Sequence, residues 1–420
     1  MKTYKIPYGR GFQTWESPYD FITPYSRNTG LCAALPGIEA ALDAPVASPT
    51  LEQLASGAEK ITIVCPDITR GWCQAPSMNT AVRKRIANVT DKPVTWLVAT
   101  GQHRAMTADE GKFLFGDAAM PGDVILSHDC DKVVDMGVST STGTPVTLDA
   151  AFVEADLVVL VGGIIFHDMA GFSGGRKNIM PGISGRMSII TNHNHTLKDG
   201  GLNPDTNCGL IDHNPMALDQ LEYAKIAIRG KKCFLLNAIA DDTGKPVAWI
   251  AGNLIEAWKE GTRTSWSLAG VYVPKKGKRL IVSPGGYPSD LDLYQASKGF
   301  FDSVSSVEAN APIVIVAELE DAVGPGTFKE DMLSVMKDRV SYIEQLKKAY
   351  TVAGYTALRF IIELEPHPAA LVTSRKDCPF PGKIFSTVQE ADEWLREVSG
   401  TDGLSVLVKS GNAIYVSPEN

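Results

Sequence analysis

The sequence predicts an α/β protein of two domains, each a mainly parallel sheet flanked by helices, with an active site in the cleft between them. Three observations carry this. Short runs rich in Val and Ile at 61–65, 94–99 and 157–161 are largely apolar instead of alternating, as strands covered on both faces are. Helix-patterned segments stand among these runs and follow the last of them, the spacing of parallel crossovers. The same rhythm restarts after Val273-Pro-Lys-Lys-Gly-Lys278, in a 420-residue chain long enough for two or three domains.

In order, residues 1–60 read as irregular, with one short helical candidate at 37–42. A strand at 61–65 ends in Pro66 and Asp67 and is followed by a helix over 77–89. The strand 94–99 ends in Thr100-Gly-Gln-His-Arg104, and 123–126 is a shorter strand. The run from Leu157 leads through Gly162 and Gly163 to His167 and Asp168. Asn214-Pro215 supplies an N-cap and first helical position for a helix to about Arg229. Residues 233–238 and 247–251 flank Asp241-Asp-Thr-Gly244 as an antiparallel pair, and 254–268 is helical. The expected boundary divides an N-terminal domain, 1–272, from a C-terminal one, 273–399. Beyond it come strands at 280–283 and 313–317, a helix including 293–298, a helix over 332–350, strands at 359–364 and 384–385, and a capping box at Thr387–Glu390. The tail, 400–420, reads as a hairpin of 405–409 with 413–416 that rejoins either domain.

Composition narrows the function. Hydrophobic residues make up 44% and charged residues 21%, as in ordinary globular proteins, and the formal charge of -8 argues against nucleic acid or an anionic membrane as partner. No apolar stretch approaches the ~20 residues of a membrane helix. The N-terminus lacks the apolar segment of a secretory signal. Seven cysteines are scattered without a Cys-x-x-Cys, which fits reduced thiols and a cytoplasmic protein.

The strands beginning at 61, 94 and 157 each run into a polar cluster: Asp67, Thr69 and Arg70; His103 and Arg104; His167 and Asp168. Ligands of open α/β sheets bind outside the carboxyl ends of the strands, so these clusters can meet at one edge. The seven histidines are 103, 128, 167, 193, 195, 213 and 367. Imidazole suits both proton transfer and metal ligation, although a lone histidine is more often structural. His193 and His195 share a face on a strand but diverge by about 200° on a helix, where only one reaches a given site. Ser173-Gly174-Gly175-Arg176-Lys177 offers backbone N–H groups and two cations to a phosphate. Neither the Walker A spacing nor a dinucleotide fingerprint is present. Tyr294, Gln295 and Lys298 share one face of a helix, as a site or as a solvated lysine beside a packing tyrosine. Arg70 can clamp a carboxylate or form a surface ion pair.

Together, Asp67-Ile68-Thr69-Arg70, Thr100-Gly-Gln-His-Arg104, the block His167–Lys177, His193, and Gly285–Asp290 through Tyr294–Lys298 resemble the lactate racemase family of nickel-pincer enzymes, over most of the chain. The resemblance implies a racemase or epimerase that inverts C2 of a 2-hydroxy acid through a 2-keto acid. Its cofactor is a pyridinium mononucleotide whose two sulfur-bearing arms bind nickel, made by separate biosynthetic enzymes. It implies that Lys177 holds the cofactor through a thioamide and that His193 ligates nickel. His103 and His167 become the paired acid/base residues, one for each enantiomer. Asp67, Ile68, Thr69, Arg70, Ser173, Gly174, Gly175 and Tyr294 fall to the cofactor, and Arg70, Gln295 and Lys298 to the substrate. Gly71-Trp72 stands where the lactate pattern has proline, so the particular hydroxy acid stays open. Two other readings remain: a zinc hydrolase built on His103, His167 and His193, and a cofactor-binding protein without catalysis.

Overall fold

The computed structural model describes residues 1–26, 35–321, 323–411 and 415–418. Its contacts divide the chain into two units, one of residues 28–196 and 203–268, the other of residues 1–27, 197–202 and 269–420.

In the first unit a six-stranded sheet runs in the order Pro246–Gly252, Lys232–Ala240, Leu157–Ile164, Ile61–Pro66, Val94–Ala99, Val124–Ser127. All neighbours are parallel except the first two, the expected antiparallel pair. The buried strands are apolar on both faces because each face has its own core. Ile61, Ile63, Leu157, Val159 and Trp96 pack into one cluster, while Val64, Val158, Leu160 and Leu97 pack into the other. The parallel arrangement brings the C-terminal ends of Ile61–Pro66, Val94–Ala99 and Leu157–Ile164 to one edge of the sheet.

The second unit has a six-stranded parallel sheet of Lys383–Phe385, Ala369–Val372, Ile313–Val316, Arg279–Val282, Ser405–Val408 and Phe21–Ile22. Several expectations fail here. Residues 1–26, expected to be irregular and part of the N-terminal domain, form the hairpin Lys2–Tyr8 with Gly11–Ser17 and the strand Phe21–Ile22 of this second unit. Ile6, Trp15, Tyr19 and Phe21 are buried in its core with Ile281, Val314 and Trp394. The tail is not a hairpin either. Ser405–Val408 pairs in parallel with Arg279–Val282 and Phe21–Ile22, and Tyr415–Pro418 in parallel with Gly270–Val273. Residues 413 and 414 of its expected second strand lie outside the described residues.

The expected strand 359–364 is the end of a helix, Val352–Leu364, capped by the Thr351 side chain accepting from Gly354 N–H. Tyr355 to Ile361 are all buried, so this helix shows no amphipathic stripe and its apolar run imitates a strand. The strand of this region is Ala369–Val372. The expected helix 332–350 is two, Phe328–Lys337 and Arg339–Lys348, broken at Asp338, whose side chain caps the second.

Candidate active site

Three strand ends of the first unit supply the site. Ile61–Pro66 ends in Asp67, which is buried and caps a short 3-10 turn, Ile68–Cys73, by accepting from Thr69 N–H at 3.1 Å. Its other oxygen takes a second partner from the neighbouring strand. Thr100 Oγ1 donates to His128 O at 2.8 Å, and Gly101, at φ 56°, donates its N–H to Gly182 O at 2.9 Å. This fixed turn brings His103 Nδ1 to 2.6 Å from Asp67 Oδ2. Burial pushes the Asp67 carboxyl up, but hydrogen bonds from His103 and Thr69 outweigh it and hold the group below its ordinary value. An ionised carboxylate accepts from Nδ1–H, which makes Nε2 the basic nitrogen of His103. The His103 side chain is 55% exposed, so that nitrogen is within reach of a small molecule. Arg70 is exposed, with Nη1 donating to Thr69 Oγ1 at 3.2 Å.

The Leu157–Ile164 strand leads to His167 and then to the glycine-rich turn. That turn is shaped by protein contacts. Ser173 Oγ donates to Gly163 O at 2.8 Å and accepts from Ile165 N–H at 3.0 Å. Gly175 N–H donates to Asn237 Oδ1 at 2.9 Å. A Cβ on Gly174 would stand 2.6 Å from Asn237 Oδ1, and one on Gly175 2.4 Å from the Trp258 ring. Both glycines have positive φ, so their residue type is set by backbone shape and close packing. Arg176 is fully buried, stacked 4.1 Å over Trp258, with Nη2 donating to Ala170 O at 2.7 Å. The turn therefore serves to place Lys177, whose Nζ lies 2.7 Å from His167 Nε2. Lys177 keeps some accessible surface, yet its amine is enclosed by protein. That enclosure, with the nearby charges of Arg70 and Arg176, pulls it from 10.5 down to about 7.

His193 ends the helix Arg186–His193 and is buried. Its Nδ1–H donates to Ile189 O at 2.8 Å, so Nε2 is the basic nitrogen. Burial and the field of Lys177 lower it to about 4. It is thus a neutral imidazole at neutral pH, the form that ligates a metal. His195, past the helix end, turns instead toward Asp219, 3.9 Å away. Among the described residues no three His, Cys, Asp or Glu gather as a metal-binding group. A metal near Lys177 and His193 would therefore draw part of its ligand set from a bound group, and the enclosed amine offers that group a point of attachment.

In the second unit, Leu293–Phe301 is a helix capped by Asp292, whose side chain accepts from Gln295 N–H at 2.7 Å. Lys298 Nζ donates to Gln295 Oε1 at 2.8 Å and sits 4.7 Å from the Tyr294 ring centroid. The expected common face of Tyr294, Gln295 and Lys298 is present.

Two contributors escaped sequence reading: Asn237 and Trp258 set the lysine turn from more than 60 residues away. Asp67, expected at the cofactor, also orients His103 across two strands, and Arg176, expected to face a phosphate, is a buried cation beside Lys177. None lies in a local pattern that announces its partner. Trp72 packs against the first core cluster, and its ring occupies the space above Gly163, where a Cβ would approach to 2.4 Å.

Comparison with known proteins points to one family. A family model for the lactate racemase N-terminal domain matches residues 28–203, and one for the lactate racemase C-terminal domain matches residues 274–357. The lactate racemase of Lactiplantibacillus plantarum is 31% identical over 395 residues, 89% of this chain and 90% of its own. That of Thermoanaerobacterium thermosaccharolyticum is 31% identical over 341 residues, 77% of this chain and 76% of its own. The solved structure of the lactate racemase apoprotein from Thermoanaerobacterium thermosaccharolyticum matches with a TM-score of 0.84 at 26% identity, covering 99% of this chain and all of that one. A solved Thermotoga maritima protein, 16% identical with a TM-score of 0.64 over 88% of this chain and 96% of its own, shares the fold alone.

Proposed function

Because the chain belongs to the lactate racemase family, we propose that it is an isomerase inverting C2 of a 2-hydroxy acid by way of the 2-keto acid, using a covalently attached nickel-pincer nucleotide. The observation that carries this reading is the enclosed Lys177 amine, 2.7 Å from one histidine and within the field of a second, buried one. When bound, the cofactor supplies a site that takes the C2 hydrogen as hydride and returns it to either face. This matters because that hydrogen is too weakly acidic for a side-chain base to remove alone.

The protein does the rest. Lys177 is the attachment point, and His193 presents Nε2 to the metal. Arg70, an exposed cation beside the His103 cluster, holds the substrate carboxylate through its planar fork of donors. His103, oriented by Asp67, takes the hydroxyl proton of one enantiomer as C2 becomes trigonal. His167 returns a proton as the other enantiomer forms, and the roles exchange in reverse. Two imidazoles serve because the two enantiomers present their hydroxyl groups in mirror-related positions. Asp67 to Arg70 and Tyr294 line the cofactor, Ser173 to Gly175 place the lysine that holds it, and Gln295 and Lys298 act on the substrate.

The test is direct. Protein produced together with the cofactor-making enzymes is weighed intact and assayed by chiral chromatography on a panel of 2-hydroxy acids. Wild type should carry one pyridinium adduct and interconvert both enantiomers of at least one acid. Lys177→Ala should lose adduct and activity together. Full activity in Lys177→Ala, or zinc without an adduct in active wild type, contradicts the reading.

A further inference from the structure

We propose that His167 prepares Lys177 for acylation by holding its side chain as the free amine, and that attachment then releases His167 to the substrate. The inference rests on the reading of Lys177 as the attachment point. It follows from what surrounds the His167 ring. The backbone N–H groups of Met169 and Ala170 both point at Nδ1, each at 3.2 Å. Two donors facing one nitrogen require a lone pair there, so the neutral ring carries its proton on Nε2. Nε2–H faces Lys177 Nζ at 2.7 Å and donates to it. An ammonium has no lone pair with which to accept; only the free amine does.

The opposite assignment is poorer. An ammonium donating to Nε2 would put the ring proton on Nδ1, toward Asp168 Oδ1 at 3.1 Å but against both backbone donors. Enclosure of the lysine, which pulls it to about 7, points the same way. The free amine is the nucleophilic form.

The acylating partner is a thiocarboxylic acid on a pyridinium mononucleotide. The amine nitrogen forms a C–N bond to the thiocarboxyl carbon, and the C–O bond breaks. The oxygen leaves as water, carrying one amine proton and the thioacid proton. Sulfur remains as the thioamide, and nothing is oxidised or reduced. Afterwards the nitrogen lone pair is delocalised into the C=S group and no longer accepts from Nε2–H. The bond to His167 is lost at that moment, and the ring becomes available for acid/base work. One histidine thus serves assembly first and turnover second.

The readout is adduct mass against time, not turnover. Apoprotein is mixed with the bis-thiocarboxylated pyridinium mononucleotide, and the rate of mass gain at Lys177 is followed in wild type, His167→Gln, His167→Ala and His167→Leu. Glutamine still offers an N–H to the amine but is no base. We expect it to load within about threefold of wild type, while Ala and Leu load at least about tenfold more slowly. Two donor-less variants keep the comparison decisive if one fails to fold. Loading of Ala or Leu at the wild-type rate, or of Gln as slowly as both, overturns the proposal. Wild type that gains no mass, or gains it equally in Lys177→Ala, defeats the attachment reading itself.

Discussion

At Asp67 a single buried carboxylate joins two strand ends. One oxygen closes the turn that carries Arg70, and the other fixes the tautomer of His103. Lys177 depends in the same way on neighbours remote in sequence, and its environment has a consequence for stability. Folding pulls the amine from 10.5 to about 7, so the folded state disfavours its charged form. Below pH 7 both folded and unfolded chains carry the proton, and the folded apoprotein bears the whole cost. Between about 7 and 10.5 the unfolded chain holds more protons, and stability must rise with pH. Above 10.5 neither is protonated and the effect ends. The slope contributed by this residue is at most about 1.4 kcal/mol per pH unit. Urea denaturation of apoprotein at pH 7, 8 and 9 should show this rise in wild type and a flatter profile in Lys177→Met. Parallel profiles in the two proteins would mean that the lysine is not enclosed as described.

Among the elements, the strand Leu157–Ile164 is paired on both sides, and the sequence shows where it lies more readily than why it carries Gly162 and Gly163. Its apolar run was legible because both faces are buried, and the same signal exposed Ile61–Pro66 and Val94–Ala99. Gly163 was legible only as a break. Its cause is Trp72, whose ring takes the place of a side chain there, with Cys73 Cβ 2.8 Å from the same point. The same logic explains the helix Val352–Leu364, mistaken for a strand at its end: burial on all sides erases the periodicity that separates the two structures. Gly163→Ala should therefore overpack this spot and cost about 1–3 kcal/mol. In a Trp72→Val background the same change should cost less by at least about 0.5 kcal/mol, because the larger obstacle is gone. Equal costs in both backgrounds, from denaturant midpoints, would show that the ring is not what excludes the methyl.

For the whole molecule, the sequence made two α/β units visible but put residues 1–26 in the wrong one and paired the tail strands with each other instead of with distant partners. Local patterns reveal strands; they do not say which distant strand becomes the neighbour. Residues 1–26 hold too many Gly and Pro breaks to look like part of a sheet. Yet Phe21–Ile22 extends the sheet beside Ser405–Val408, Ser17 Oγ donates to Asp392 at 2.8 Å in a buried setting, and Ser283 Oγ donates to Pro7 O at 2.9 Å. Trp15 and Tyr19 are each only 2% exposed, so they are part of this core and not a covering over it. Removing two buried aromatics of this size strips several kcal/mol from a domain whose net stability is of order 5–15 kcal/mol. Deletion of residues 1–26 should therefore unfold the second unit selectively. In hydrogen exchange, amides of Arg279–Val282, Ile313–Val316 and Ala369–Val372 should lose protection, while those of Ile61–Pro66, Val94–Ala99 and Leu157–Ile164 keep it. Unchanged protection in the first set would make the N-terminal hairpin dispensable. Loss in both sets would mean that the two units fold as one cooperative body, so that tethering at Lys177 could not be studied apart from the helix that carries Gln295 and Lys298.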